Sequence, residues 1–127
     1  MKIFLKTLFR CFTVWHLEGS IDLSGADCII THAGGEARDG SPGKINLYLE
    51  KIVRDLYWER RLPIVAEGEL AVCIQDLPLV GEIPRHCELA GLPYFDSLDV
   101  AKIHKEVCDQ HGWKRPILVS YQPHLWR

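Results

Sequence analysis

No stretch of this chain stays apolar for the roughly 18 residues that a membrane-spanning helix requires. Cysteine occurs five times, at Cys11, Cys28, Cys73, Cys87 and Cys108, always singly and never as C-x-x-C. That spacing argues against a disulfide scaffold or a zinc ribbon. It suits reduced, mostly buried thiols in a cytoplasmic protein. An excess of positive charge is also missing, since 15 Lys and Arg stand against 17 Asp and Glu, for a net charge of −2. Without a global basic field, nucleic acid is not an expected partner. Internal repeats and low-complexity tracts are absent, as are the Walker A, G-x-G-x-x-G and G-x-S-x-G sequences.

What remains is the composition of one globular domain over residues 1–127, with 47% hydrophobic and 25% charged residues. The first 19 residues form the most apolar end. Lys2, Lys6 and Arg10 recur every four residues and share one helical stripe. Ile3, Leu5, Leu8, Phe9, Phe12 and Trp15 cover much of the rest. This predicts an amphipathic N-terminal helix packed on the domain. A helix lying on an anionic membrane surface is the alternative, which would make the protein membrane-associated. A signal peptide fits poorly, because Lys6 and Arg10 interrupt the apolar region.

Cys28-Ile29-Ile30-Thr31 reads as a buried strand. Residues 32–43 hold four glycines and a proline and mark a loop. Ile45, Leu49, Ile52, Val53 and Leu56 then lie at helical spacing, with Ser41 as the expected N-cap and Pro42 at the first helical position. Pro63-Ile64-Val65-Ala66 is a second strand. In residues 67–93 the pattern is weak. Leu70 to Ile74 suits a short helix or a strand, Pro78, Gly81 and Pro84 fragment the next stretch, and His86 to Ala90 suits a helical turn. Leu92-Pro93-Tyr94-Phe95 is the candidate third strand. A helix beginning at Asp96 or Ser97 carries Val100, Ile103, Val107 and Cys108 on one face and stops at Gly112. Pro116-Ile117-Leu118-Val119-Ser120 is the last strand. Alternating β and α elements predict a small, mostly parallel sheet with helices on both faces.

Such sheets bind ligands beyond the carboxyl ends of the strands, where strand order reverses. If the first strand lies between the second and the last, the loops after Thr31 and Ser120 meet there. Gly34 and Gly35 would let backbone approach an anion, although a plain tight turn explains them equally well. Ser120, His124 and Arg127 come from the last loop, and Asp96 and Ser97 open onto the same edge. Glu67 and Glu69 come after the second strand as acid–base candidates. His104, Cys108 and His111 have the helical spacing of metal ligands, but no fourth ligand is evident, so no metal site is assigned. A Ser-His-Asp triad from Ser120, His124 and Asp96 or Asp99 lacks any elbow sequence to support it.

Four segments together resemble the bacterial YdcF/SanA/ElyC-like proteins. Ala26-Asp27-Cys28-Ile29-Ile30 with Gly34-Gly35 is similar to that family's opening strand and glycine turn. Leu56-Tyr57 before Leu62-Pro63-Ile64-Val65 resembles its helix end and second strand. Asp96-Ser97-Leu98-Asp99-Val100-Ala101 resembles its Asn-Thr-x-Glu-Asn-Ala helix start. Ile117-Leu118-Val119-Ser120 with His124-x-x-Arg127 is similar to its last strand, Thr-Ser and His-x-x-Arg. The resemblance spans residues 26–127. The chain differs from the family pattern at Ala66-Glu67-Gly68, where the family has Ser-Gly-Gly, and at Val100. The resemblance implies a three-layer Rossmann-like fold and an envelope-associated family.

The functional expectation is a pocket for a small anionic or nucleotide-like ligand. His124, Glu67 and Asp96 would be its catalytic candidates, and Gly34, Gly35, Ser97, Ser120 and Arg127 its binding residues. No particular cofactor is indicated. Group transfer or hydrolysis is the class of reaction such residues suit, and catalysis itself stays open. The alternative is a non-catalytic interaction protein or degenerate family member, oligomerising through an exposed sheet edge.

Overall fold

The computed structural model describes residues 22–35, 37–83 and 97–121. Among the described residues strands and helices alternate: β1 (Cys28–Thr31), α1 (Lys44–Arg60), β2 (Ile64–Glu67), α2 (Gly68–Ala71), β3 (Leu79–Ile83), α3 (Ser97–His111) and β4 (Pro116–Val119). All strand pairs are parallel, and the sheet order is β3-β2-β1-β4. Parallel neighbours need a crossover, which the helices supply. The result is a Rossmann-like α/β fold.

Alternation along β1 sorts its side chains to two faces. Ile29 joins Ile64, Ala66 and Val119 in a core closed by Leu49, Val53 and Leu56 of α1 and Leu70 and Ala71 of α2. Cys28 and Ile30 join Val65 and Ile83 in a second core under Val100 and Cys108 of α3. The sheet is therefore the middle of three layers. Each fully buried Leu or Ile stabilises this arrangement by about 2 kcal/mol. The free thiols of Cys28 and Cys108 are both buried. Burial and the neighbouring Cys108 push the Cys28 thiol up to about 12, so it stays protonated.

Local chemistry explains the element ends. Gly112 takes φ +71°, and Gly112 N–H and Trp113 N–H donate to the carbonyls of Asp109 and Cys108. This Schellman motif stops α3 where the glycine predicts. The start of α1 differs from expectation: its N-cap is Gly43, with no side-chain cap, and the helix begins at Lys44 rather than Pro42. The Ser41 N–H and Oγ both donate to Asp39 Oδ1, at 3.0 and 2.6 Å. Asp39 thus closes a local turn that occupies the residue expected to cap the helix.

The third strand is Leu79–Ile83, a segment whose glycine and flanking prolines point instead to a broken loop. Among the described residues it is an edge strand, with Leu79 and Ile83 turned inward and Val80 47% exposed. At such an edge, Pro78 precedes the strand and Gly81 lies within it, and neither breaks it. The ambiguous stretch after β2 opens as helix α2. The expected N-terminal helix, the helical turn at 86–90 and the strand at 92–95 lie outside the described residues. No helix among the described residues is long and apolar enough to cross a membrane.

Candidate functional site

From β1 the chain runs outward to β2 and β3, then returns to place β4 on the other side of β1. The strand order therefore reverses between β1 and β4. His32 N–H donates to the Val119 carbonyl at 3.0 Å, and Ser120 Oγ donates to the His32 carbonyl at 3.3 Å. The loops after Thr31 and Val119 meet as the sequence suggests.

Buried polar side chains gather around this end of the sheet. Among the described residues they are Thr31, Asn46, Glu67 and His104. Asn46, in the first turn of α1, is fully buried and grips the glycine turn. Its Oδ1 accepts from Gly34 N–H at 2.7 Å, and its Nδ2 donates to the Gly34 and Gly35 carbonyls at 3.2 and 3.4 Å. Glu67, the last residue of β2, accepts from Ala33 N–H through Oε2 at 2.6 Å. The Glu67 N–H donates back to Thr31 Oγ1 at 3.3 Å. Burial pushes the Glu67 carboxyl up to about 8 against the pull of the Ala33 N–H, and nearby Glu69 adds to the rise. Glu67 is therefore mostly neutral at pH 7.

His104 lies on the α3 side of the sheet, within electrostatic range of His32. Burial, with a smaller push from His32, lowers its pKa to about 4 and keeps the ring uncharged. Its Nε2 is buried and has no hydrogen-bond partner among the described residues. A buried polar nitrogen without a partner costs free energy, so a native structure that keeps one calls for an explanation.

The two glycines separate in role. A Cβ on Gly34 would lie 2.8 and 2.9 Å from Ile45 Cγ2 and Cβ, so Gly34 serves the packing of the turn on α1. The N–H groups of Ala33 and Gly34 are already taken, by Glu67 and Asn46. Gly35 is exposed, and a Cβ there would meet nothing within 4 Å. Of this glycine pair, Gly35 alone faces open space.

Ser120 lies at the site, half-buried. Ser97 opens α3, while Asp96, His124 and Arg127 lie outside the described residues. Glu69 is half-buried in α2, two residues after Glu67. The His104, Cys108 and His111 set does not converge: the first two are buried, and His111 is exposed and stacked on Trp113 at 4.3 Å. Among the described residues, no group of three His, Cys, Asp or Glu is placed to hold a metal.

Sequence reading missed His32 and Asn46 and valued His104 only as a metal ligand. All three carry one legible signal, a polar residue at an apolar position of the local period. His32 continues Cys28 and Ile30, Asn46 continues Leu49 and Val53, and His104 sits between Val100 and Cys108. At the opposite end of the sheet, a cleft of about 240 Å³ is lined by Asp22, Leu23, Ser24 and Arg115 with the outer side of β4. It lies at the amino ends of the strands, away from the reversal of strand order. The chain matches no family model, and no curated protein or solved structure matches it.

Proposed function

We propose that this domain binds a small anionic or nucleotide-like molecule at the carboxyl ends of β1 and β4. One observation carries the reading: the buried polar side chains gather where strand order reverses, while the amino halves of β1 and β2 bury Cys28, Ile29 and Ile64. Burying polar groups costs free energy, and this is the end of such a sheet where ligands bind. In this reading the Gly35 backbone approaches the anion, and Ser120 and His32 border the ligand. Arg127 pairs with its charge, and His124 donates a hydrogen bond or acts as general acid–base, with Asp96 and Ser97 orienting the group. If the site turns over its ligand, group transfer or hydrolysis is the class. The resemblance to the YdcF/SanA/ElyC-like proteins belongs to the same proposal.

A thermal-shift screen against nucleotides, S-adenosylmethionine and sugar phosphates tests it. A ligand at 100 times its Kd is expected to add about 2.7 kcal/mol of stability. The gain should shrink in His124→Ala and Arg127→Ala. If no compound moves the midpoint, the reading is wrong.

A second reading draws on the edge of the sheet. β4 pairs with β1 alone among the described residues, and Leu118 is 46% exposed. An unpaired parallel edge of this kind is a surface on which another copy can add. Light scattering after size exclusion decides it, and a monomer at all concentrations would remove this reading.

A further inference from the structure

The outer side of β4 lies open where the chain enters the fold. Asp22, the first described residue, lines a cleft of about 240 Å³ with Leu23, Ser24, Arg115, Ile117 and Leu118. Ile117 pairs with Ile29 and shares its face of the sheet, yet Ile29 is fully buried and Ile117 only half-buried. Topology explains the difference. α1 carries the chain from β1 to β2, and α3 carries it back from β3 to β4, so right-handed crossovers put the two helices on opposite faces. On the α1 face, no helix among the described residues lies on the β4 side of α1. Beside the cleft, Arg60 Nη1 donates to the Leu23 carbonyl at 3.0 Å, while Arg60 Nε is buried and has no hydrogen-bond partner among the described residues. A buried donor of that kind calls for an acceptor. The open face and the unmet donor thus both lie where the chain before Asp22 joins the fold.

We propose that the apolar segment 3–15 of this same chain covers that face: it packs against Ile117 on the outer side of β4, beside α1, with Lys2, Lys6 and Arg10 turned to solvent. The lengths agree. As a helix the segment is about 20 Å long, enough to span a strand of 4 residues, about 13 Å. Residues 16–21 reach at most about 22 Å, so the segment can double back from Asp22 over the strand. The side chains agree as well. Leu8, Phe12 and Trp15 recur along one helical stripe, and the cleft has room for a large aromatic side chain. Natural proteins commonly blunt an edge strand with such a cover. A cover supplied by the chain itself excludes another copy from the same edge, so this inference competes with the second reading above.

The test is chemical cross-linking of the whole chain. Cys11 lies three residues after Leu8 and four before Trp15, on the same helical face. Ile117→Cys places a second thiol in the cleft. A short bismaleimide is expected to join Cys11 to the introduced thiol within one chain, as mapped by peptide mass spectrometry. Adding Leu8→Glu and Phe12→Glu should abolish that product. Absence of the product in the parent variant overturns the inference. A product that joins two chains overturns it in favour of another copy. A product that persists with both glutamates reports tether length instead of packing and overturns it too. Cosedimentation with phosphatidylglycerol vesicles, at the expense of the product, assigns the apolar stripe to a membrane and overturns it as well. Circular dichroism reports whether Ile117→Cys folds, and Leu118→Cys, at an exposed position of the same cleft, repeats the test.

Discussion

Gly34 and Gly35 are adjacent and chemically identical, yet only one of them is needed by the fold. Gly34 is buried, with its N–H on Asn46 and Ile45 less than 3 Å from where a Cβ would stand. The obstructing atoms include Ile45 Cβ, which is fixed to helix backbone and cannot swing aside. Gly34→Ala is therefore expected to destabilise the protein by about 1–3 kcal/mol. Gly35→Ala should leave stability within about 0.5 kcal/mol of wild type. Urea unfolding of the two variants checks both values, and equal losses would refute the assignment. In the sequence the pair is legible as a turn. Which member is structural depends on where α1 packs, and no local pattern records that.

At the scale of elements, β4 depends at its start on one side chain. It is an edge of the sheet among the described residues, and Asp27 ties its start to the start of β1. The Asp27 carboxylate accepts from Lys114 N–H at 2.6 Å and from Arg115 N–H at 3.1 Å. The Lys114 N–H beside Asp27 holds its carboxyl below the usual range. Asp27→Ala is expected to lower the thermal midpoint and to speed amide exchange in residues 116–119 more than in α1. Asp27→Asn, which keeps one acceptor, should lose less. Uniform exchange across the sheet would show that Asp27 does not pin β4.

Legibility followed the apolar run of each strand. β1 and β2 read so because central parallel strands are covered on both faces, and β4 reads so from Ile117-Leu118-Val119 although it stands at the edge of the described sheet with Leu118 46% exposed. α1 and α3 read from their period. β3 escaped notice because an edge strand alternates, and here Gly81 takes one inward position. The start of α1 was misplaced because Asp39 competes for Ser41, a choice between two hydrogen bonds that the residue types alone do not rank.

Across the whole molecule, two buried titratable groups shape stability against pH in opposite senses. Glu67 holds its proton to about pH 8 when folded, against a reference value of 4.5. Its stabilising share is complete below pH 4.5 and is lost as pH rises towards 8. His104 takes a proton near pH 4 when folded, against 6.5 in the reference state. Its share is complete above pH 6.5 and is lost as pH falls towards 4. Each effect is on the order of 3–5 kcal/mol. The two slopes cancel between pH 4.5 and 6.5, so a plateau is expected there, with losses on both sides. Asp22, Asp27, Asp39 and Asp76 are also held below their usual range, which steepens the acid limb under about pH 4. Denaturant midpoints from pH 3.5 to 9 check the profile. The alkaline limb should flatten in Glu67→Gln and the acid limb in His104→Gln. A wild-type profile that rises between pH 6.5 and 8 would contradict the protonated state of Glu67.

By itself the sequence determined the alternation of strands and helices, and hence a parallel α/β sheet. Local period and turn chemistry dictate that much, because they act within a few residues. The sequence also marked Glu67 and the glycine turn as candidates. Strand order, the meeting of Ser120 with His32, and the burial of Asn46 and His104 were decided only by the tertiary structure. Those contacts join residues far apart in the chain, where packing and strand pairing outweigh local preference. The same packing leaves Glu67 neutral and His104 uncharged around one sheet.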